Sequence, residues 1–227
     1  MRALIVNADD FGRSSGINAG VARAHDEGVV TSASAMVCWP AAVEAAALVL
    51  ERPRLGVGLH IDLSEWEYDG RDWRPLYVRV EESGEEVEAE VTRQLQLFRE
   101  LFGRDPTHLD SHQHRHRGEP LRSVLRNLGS RLGVPVRDLE PDVTYRGDFY
   151  GQTGRGEPLP AAIELAAFLR IVASLPDGVT ELGCHPASEP ETASSYAAER
   201  VAELHVLCDP RVREAVGAAG VELRSFA

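Results

Sequence analysis

Short apolar runs alternate with longer amphipathic stretches along the whole chain. The apolar runs are brief and rich in small or β-branched residues, a composition typical of buried strands. They predict strands at residues 3–6, 29–37, 55–60, 107–112, 134–137, 179–184 and 221–225. The amphipathic stretches predict helices at about residues 16–27, 40–50, 85–102, 119–132, 160–175, 195–207 and 209–219. This alternation is typical of an α/β domain with a mainly parallel sheet.

Two segments, residues 62–84 and 138–158, lack this pattern and are predicted to be loops. Long loops in a compact domain usually cover or line a functional site. The first one carries four aromatic residues, Trp66, Tyr68, Trp73 and Tyr77. Exposed aromatic rings there would suit stacking on a sugar, but they could equally attach the loop to the body of the protein. The sequence leaves both interpretations open.

The length of 227 residues fits a single domain, and no linker interrupts the alternation of elements. We therefore predict one domain, residues 1–227, whose parallel sheet is closed or partly closed into a barrel.

The formal net charge of −12 argues against nucleic acid as a partner, because a phosphate backbone would be repelled. No apolar run approaches the roughly 18 residues of a membrane span, and the first residues do not resemble a signal peptide. We therefore expect a cytoplasmic protein with no membrane partner. The three cysteines are far apart and form no CxxC pair, so neither a disulfide framework nor a thiolate metal site is predicted.

Polar residues follow four of the predicted strands. Asp9 and Asp10 follow the first strand, and His60, His112 and His185 lie at the ends of three others. The carboxyl ends of parallel strands face one crevice, which is where sites are built in such folds. Each residue alone is more often a cap or a hydrogen-bonded structural residue, but the set together indicates a site.

The segment 107–116 is unusually rich in histidine. His108, Asp110, His112, His114 and His116 occupy even-numbered positions, so in an extended chain they would share one face. A metal site explains such a stripe, and so does a solvated loop. The strand-end set requires only His112 as a ligand. His108 and Asp110 would then support the site through hydrogen bonds, and His116 would lie in a loop.

Two imidazoles and one carboxylate form a three-ligand set that leaves positions open for water and substrate, as catalytic metal sites do. Adjacent aspartates at the end of a strand suit a division in which one binds the ion and the other takes a proton. A separate histidine can act as the general acid. Imidazole ligands favour zinc, cobalt or another late divalent ion.

Four sequence blocks resemble the signatures of the YdjC/ChbG-like carbohydrate deacetylases: NADDFG (7–12), GLH (58–60), THLDSHQH (107–114) and ELGCHP (181–186). They occur in the family order and span nearly the whole chain. The resemblance implies an irregular (β/α) barrel that removes an acetyl group from N-acetylated amino sugars, such as chitooligosaccharides, with the help of a divalent metal ion. It also implies magnesium as an alternative to zinc, and cobalt, nickel and manganese remain open.

By this resemblance Asp10, His60 and His112 match the metal ligands, Asp9 the catalytic base, and His185 the general acid. Three further residues are candidates for substrate binding: Arg137, His114 and Trp66. Arg137 could instead orient Asp9, and His114 could support the metal ligands. The expected partner is a small acetylated sugar, and a homodimer is compatible with the sequence.

Three other functions remain open. One is removal of the acetyl group from another acetylated amide or a glycolipid. Another is phosphoester hydrolysis on a histidine-rich barrel, although such enzymes place an HxH pair after the first strand, where this chain has Asp9 and Asp10. The third is a non-catalytic protein that binds sugar or metal, which would be expected to lose the base or the acid.

Overall fold

The computed structural model describes residues 1–81, 84–191 and 194–226. The strands are β1 (Arg2–Phe11), β2 (Ser32–Ala35), β3 (Gly56–Ile61), β4 (Ser64–Tyr68), β5 (Trp73–Val78), β6 (Leu109–Ser111), β7 (Val143–Arg146), β8 (Gly178–Cys184) and β9 (Val221–Leu223). The helices are α1 (Ser15–Asp26), α2 (Ala42–Leu50), α3 (Gly84–Phe102), α4 (Leu121–Leu132), α5 (Leu165–Ala173), α6 (Ala198–Leu207) and α7 (Pro210–Ala218). None of the described helices is long and apolar enough to cross a membrane.

The main sheet is parallel and has the strand order β6-β3-β2-β1-β8-β7, with β9 paired to the first residues of β1. It curls into a half-barrel whose outer surface is covered by helices, which confirms the predicted α/β class and irregular (β/α) barrel. β1 lies at the centre and pairs with β2, β8 and β9. Because it is covered on both sides, nine of its ten residues are buried.

The prediction of a loop at residues 62–84 is wrong, because most of this segment belongs to a β-hairpin. Its middle forms the antiparallel hairpin β4–β5, in which Glu65 pairs with Tyr77 and Tyr68 with Trp73. The alternation of acidic and aromatic residues in Glu65–Tyr68 is a strand pattern with one polar face. Residues 82 and 83 lie outside the described residues.

Two further predictions, a loop and a strand, are corrected by the structure. The predicted loop at 138–158 contains β7, which extends the sheet beyond β8. The predicted strand at 134–137 is reduced to one bridge between Leu109 and Val136. Pro135 contributes to this outcome, because proline has no N–H group to donate to a ladder.

The histidine-rich stripe ends earlier than the sequence predicts. β6 includes only Leu109–Ser111, and His112 begins a 3₁₀ segment that runs to Arg117. Within it, Gln113 and His114 have φ angles of 50° and 53°, so the chain turns instead of continuing as a strand. His114 and His116 therefore do not share a strand face with His108 and Asp110.

Glycines permit two close approaches inside the barrel. A Cβ atom at Gly58 would lie 2.4 Å from Nε2 of His108, and one at Gly183 would lie 2.6 Å from the hydroxyl of Tyr145. Both glycines belong to the sequence blocks identified above. They make room for the polar side chains of neighbouring strands.

Candidate metal centre and catalytic site

The five predicted site residues meet at the carboxyl ends of the parallel strands. Asp9, Asp10, His60, His112 and His185 all line one cavity of about 940 Å³. β1 supplies both aspartates, and β3 supplies His60. His112 directly follows β6, and His185 directly follows β8.

The left-handed backbone at Asp10 directs the side chains of the two aspartates to different partners. Its φ angle is 66°, and the register between β1 and β2 shifts between Ala8 and Phe11. The side chain of Asp10 therefore points to His60 and His112, whereas that of Asp9 points to Arg137. Such a backbone angle is uncommon outside glycine and occurs often at functional sites.

The side chains of Asp10, His60 and His112 fit a divalent metal ion. Oδ1 of Asp10 lies 3.1 Å from Nδ1 of His112 and 3.5 Å from Nε2 of His60. All three residues are buried, and their ligand atoms lie within 4.8 Å of one another. Oδ1 of Asp10 has no hydrogen-bond partner in the described part of the protein. A buried acceptor without a partner lowers the stability of the folded protein, and a bound ion would supply the missing partner.

His60 is oriented by Asp110, whose Oδ1 lies 2.7 Å from Nδ1 of the imidazole. Burial alone would lower the pKa of His60, but the neighbouring carboxylates of Asp110 and Asp10 raise it to about 10. Because Asp110 holds the proton on Nδ1, an ion would displace the proton on Nε2, which faces Asp10. This contact agrees with the supporting role predicted for Asp110.

Arg137 holds Asp9 through a bidentate ion pair, with both nitrogen–oxygen distances at 2.7 Å. The same guanidinium contacts Asp110 at 2.8 Å and Glu181 at 2.7 Å. Burial would raise the pKa of Asp9, but Arg137 lowers it, so this carboxylate is ionised at neutral pH. The side chain of Arg137 is 0 % exposed, so the geometry favours orientation of Asp9 over the predicted contact with substrate.

His185 lies between two carboxyl groups. Its Nε2 is 3.9 Å from Oδ2 of Asp9, and its Nδ1 is 3.8 Å from Oε1 of Glu203. The rings of Tyr150 and Tyr196 contact it edge-on. Burial lowers the pKa of His185 to about 4 and raises that of Glu203 to about 8. At neutral pH the imidazole is therefore neutral and Glu203 carries a proton.

The hairpin forms one wall of the cavity. Trp66, Tyr68 and Trp73 line it, whereas Tyr77 donates a hydrogen bond to Asp62 at 2.8 Å and attaches the hairpin to the body. Three of the four aromatic residues are therefore placed where they could stack on a sugar, and the fourth, Tyr77, attaches the hairpin to the body of the protein. His114 also lines the cavity, with its Nε2 3.2 Å from the hydroxyl of Tyr145.

Sequence reasoning missed several residues around the site: Arg13, Glu65, Tyr145, Tyr196, Arg200 and Glu203. Glu65 and Tyr145 lie in segments predicted to be loops. Arg200 donates to Oδ2 of Asp10 at 2.5 Å, and Glu203 accepts from the backbone N–H of His185, also at 2.5 Å. Both lie on α6, where an Arg-x-x-Glu spacing is common on solvated helices, so the sequence carried no signal for them.

The comparisons with known proteins cover nearly the whole chain. The family model described as YdjC-like protein matches residues 3–218. A carbohydrate deacetylase from Geobacillus stearothermophilus is 36% identical over 251 residues, covering 99% of this chain and 97% of the relative. A chitooligosaccharide deacetylase from Salmonella dublin is 33% identical over 256 residues, covering 99% of this chain and 98% of the relative.

Among solved structures, a protein from Enterococcus faecalis provisionally named for cellobiose-phosphate cleavage has a TM-score of 0.80 and 27% identity. The match covers 99% of this chain and 97% of that one. Residues 3–218, which the family model matches, contain all four sequence blocks that carry the resemblance. This chain belongs to the YdjC-like protein family.

Proposed function

We propose that this chain removes the acetyl group from N-acetylated amino sugars, using a divalent metal ion held by Asp10, His60 and His112. The observation that carries the proposal is the position of this ligand set beside Asp9, a carboxylate fixed by Arg137. The predicted enzyme class, a hydrolase acting on N-acetyl amide bonds, is confirmed at the level of the family. The metal and the sugar are part of the proposal.

A divalent ion at such a centre lowers the pKa of water and polarises a carbonyl oxygen. Asp9 acts as the base that accepts a proton from the attacking water. Arg137 keeps this carboxylate ionised and prevents its rotation, because both oxygens are held at 2.7 Å. Oδ1 of Asp10 is buried and has no hydrogen-bond partner among the described residues, which supports the assignment of Asp10 to the ion.

His185 supplies the proton that the departing amine requires. Its Nε2 faces the same space as Oδ2 of Asp9, from 3.9 Å away. When Nε2 gives its proton to the amine, Glu203 can replace it through Nδ1, because burial raises the pKa of Glu203 to about 8. The pair therefore begins the step with the proton that it needs at neutral pH.

The cavity supports a small acetylated sugar as the substrate. Its volume of about 940 Å³ exceeds that of one sugar ring, and its hairpin wall presents the aromatic rings of Trp66, Tyr68 and Trp73. Aromatic rings stack on the apolar faces of sugars. The name of the Salmonella relative, a chitooligosaccharide deacetylase, supports the same substrate class. Imidazole ligands favour zinc or cobalt over magnesium.

The experiment that tests this function is acetate release from a panel of compounds. The protein is stripped with a chelator and loaded in turn with zinc, cobalt, nickel, manganese or magnesium. We expect acetate from N-acetylglucosamine or its short β-1,4 oligomers, and only after a metal has been added. Acetylated amides without a sugar and a generic phosphomonoester test the two other hydrolases. Phosphate release, or activity that survives chelation, would contradict the proposal.

Asp9→Asn separates the base from the metal centre. We expect the variant to bind the same amount of metal but to lose about 10²–10⁴-fold in kcat, the usual contribution of a general base. His112→Ala is the matched variant that should lose the metal as well. Near-normal turnover by Asp9→Asn would place the base elsewhere.

A further inference from the structure

We infer that Glu65 is the positioning residue of His112, and that the two histidines offer opposite ring nitrogens to the metal ion. His60 would bind through Nε2 and His112 through Nδ1. The inference rests on the proposed metal centre and extends it to a residue of the hairpin, outside the three-ligand set.

The distances around His112 distinguish its two nitrogens. Nδ1 faces the metal side, 3.1 Å from Oδ1 of Asp10. Nε2 faces away from Asp10 and lies 3.7 Å from Oε2 of Glu65. That Nε2 is buried and has no hydrogen-bond partner within the described residues, and the Oε2 opposite it is a buried carboxylate oxygen that is ion-paired with Arg13. A small rotation of the ring would join them, with the N–H donating to the carboxylate and Nδ1 left free for the ion.

Glu65 does not belong to the potential ligand set itself. The group of potential ligands around Asp10 within the described residues contains His60 and His112 but not Glu65. Its carboxylate is instead paired with Arg13, whose NH2 lies 2.7 Å from Oε2. Both side chains are at least 94 % buried, because their exposed fractions are 3% and 6%. The guanidinium of Arg13 also lies 5.2 Å from the ring centroid of Trp39, which restricts its movement.

The same arrangement occurs at His60. Its Nδ1 faces Asp110 at 2.7 Å, and Asp110 is paired with Arg137 at 2.8 Å. Each histidine therefore has a carboxylate near the nitrogen that faces away from Asp10, and each carboxylate is paired with a buried arginine, Arg137 or Arg13. The arginines balance the additional negative charge near a site that must bind a cation.

The hairpin places Glu65 beside His112 through two backbone contacts. The backbone N–H of Trp66 donates to Oε1 of Gln113 at 3.0 Å, and Nε2 of Gln113 donates to the carbonyl of Trp66 at 2.7 Å. Gln113 is the residue after His112, so the two segments are joined where Glu65 and the imidazole meet. The hairpin thus takes part in metal binding as well as forming a wall of the cavity.

The test is a measurement of the histidine tautomers in the zinc-loaded, full-length protein. Long-range ¹H–¹⁵N correlation spectra distinguish a metal-bound Nδ1 from a metal-bound Nε2. We expect His60 to carry its proton on Nδ1 and His112 to carry its proton on Nε2. Two histidines that both bind zinc through Nε2 would overturn the inference, whatever the activity.

Zinc affinity, measured by competition with a chelating dye, gives a second readout. We expect Glu65→Leu to weaken zinc binding by about 10–100-fold, the usual effect of losing a partner of a metal ligand. Glu65→Gln keeps an acceptor for Nε2–H and should recover part of this loss. Asp72→Asn, at the exposed turn of the same hairpin, is the charge-matched control.

The outcomes separate this inference from the proposed function. If zinc affinity in both Glu65 variants stays within twofold of that in Asp72→Asn, the inference is wrong. If the wild-type protein binds zinc and releases acetate but His112 binds through Nε2, only the inference fails. If the wild-type protein binds no divalent ion at all, the proposed function fails with it. The spectra of the wild-type protein decide the question even if Glu65→Leu does not fold.

Discussion

The two sides of the cavity differ in how closely their histidine rings contact the neighbouring carboxyl groups. On the strand side, Arg137, Asp9, Asp110 and His60 meet at distances of 2.7 to 2.8 Å. On the rim side, His112 lies 3.7 Å from Glu65, and His185 lies 3.8 Å from Glu203. The strand side is therefore assembled before any ligand arrives, whereas the histidines of the rim side have room to adjust.

The difference follows from the backbone on each side. Asp9 and His60 lie in strands with parallel neighbours, and such ladders fix the direction of each side chain. His112 begins a 3₁₀ segment with two left-handed residues, and Glu65 comes from a separate two-stranded sheet. Asp9, the proposed base, belongs to the fixed side, and the groups expected to move on binding belong to the other. Such pre-organisation on rigid elements favours catalysis.

The strongest way to break the strand side is Arg137→Met. The substitution would leave Asp9, Asp110 and Glu181 buried without their cation, so we expect a loss of about 3–5 kcal/mol in the free energy of unfolding. Urea denaturation measures it. Arg99→Met removes an exposed pair with Asp105 and should cost at most about 1 kcal/mol. Equal losses in both variants would show that the buried cluster has no special role in stability.

Glu203→Gln on the rim side is expected to change how the free energy of unfolding depends on pH. Burial raises the pKa of Glu203 to about 8 from 4.5, so its protonated form is favoured in the folded protein. The resulting stability is fully present below pH 4.5 and is lost as pH rises towards 8. The slope within that window is about 1.4 kcal/mol per pH unit.

Glu203→Gln should remove the contribution of Glu203 to this slope, which denaturation curves of the variant and the wild type between pH 5 and 8 would reveal. Glu181 contributes in the same direction, because burial raises its pKa to about 7, so part of the slope remains in the variant. Glu100→Gln, an exposed change on α3, is the control and should behave as the wild type. Buried histidines such as His185, whose pKa burial lowers to about 4, contribute with the opposite sign, so the difference between variant and wild type is the quantity to compare. A variant that keeps the pH dependence of the wild type would contradict the prediction.

The smallest effect is expected from Trp66→Ala, which removes one aromatic ring from the hairpin wall. We expect KM for an N-acetyl sugar to rise about tenfold, or ~1.4 kcal/mol, with kcat nearly unchanged. Steady-state acetate release measures both constants. Leu76→Ala changes an exposed residue of the same hairpin and should leave them unaltered. A fall in kcat alone would place Trp66 on the reacting side of the substrate.

The sequence predicted the strand side of the site better than the rim side. Asp9, Asp10 and His60 follow from buried apolar strands that end in polar residues, and parallel strands bring such ends together. The hydrophobic periodicity predicted the bounds of each helix to within a few residues. These features depend on local patterns and on one general rule of sheet topology.

The rim side could not be predicted in the same way. Glu65 reaches His112 because of a hairpin with short strands, and Pro75 in β5 weakens the strand pattern that β4 shows. Glu203 reaches His185 from α6, eighteen residues further along the chain, by a helix-to-sheet packing that no local pattern encodes. Arg137 was placed near Asp9 as one alternative, but its threefold ion pairing depends on how the barrel curls.

The left-handed backbone at Asp10 has a consequence for how tolerant the site is to change. In a regular strand two neighbouring aspartates would point to opposite faces, and one would leave the cavity. The rotation at Asp10 returns both to the same opening, so a single strand end provides two chemical groups. A one-residue insertion or deletion in β1 would therefore disturb the proposed base and the proposed metal ligand together. We expect this strand end to accept no length variation, whereas the turn of the hairpin can vary in length.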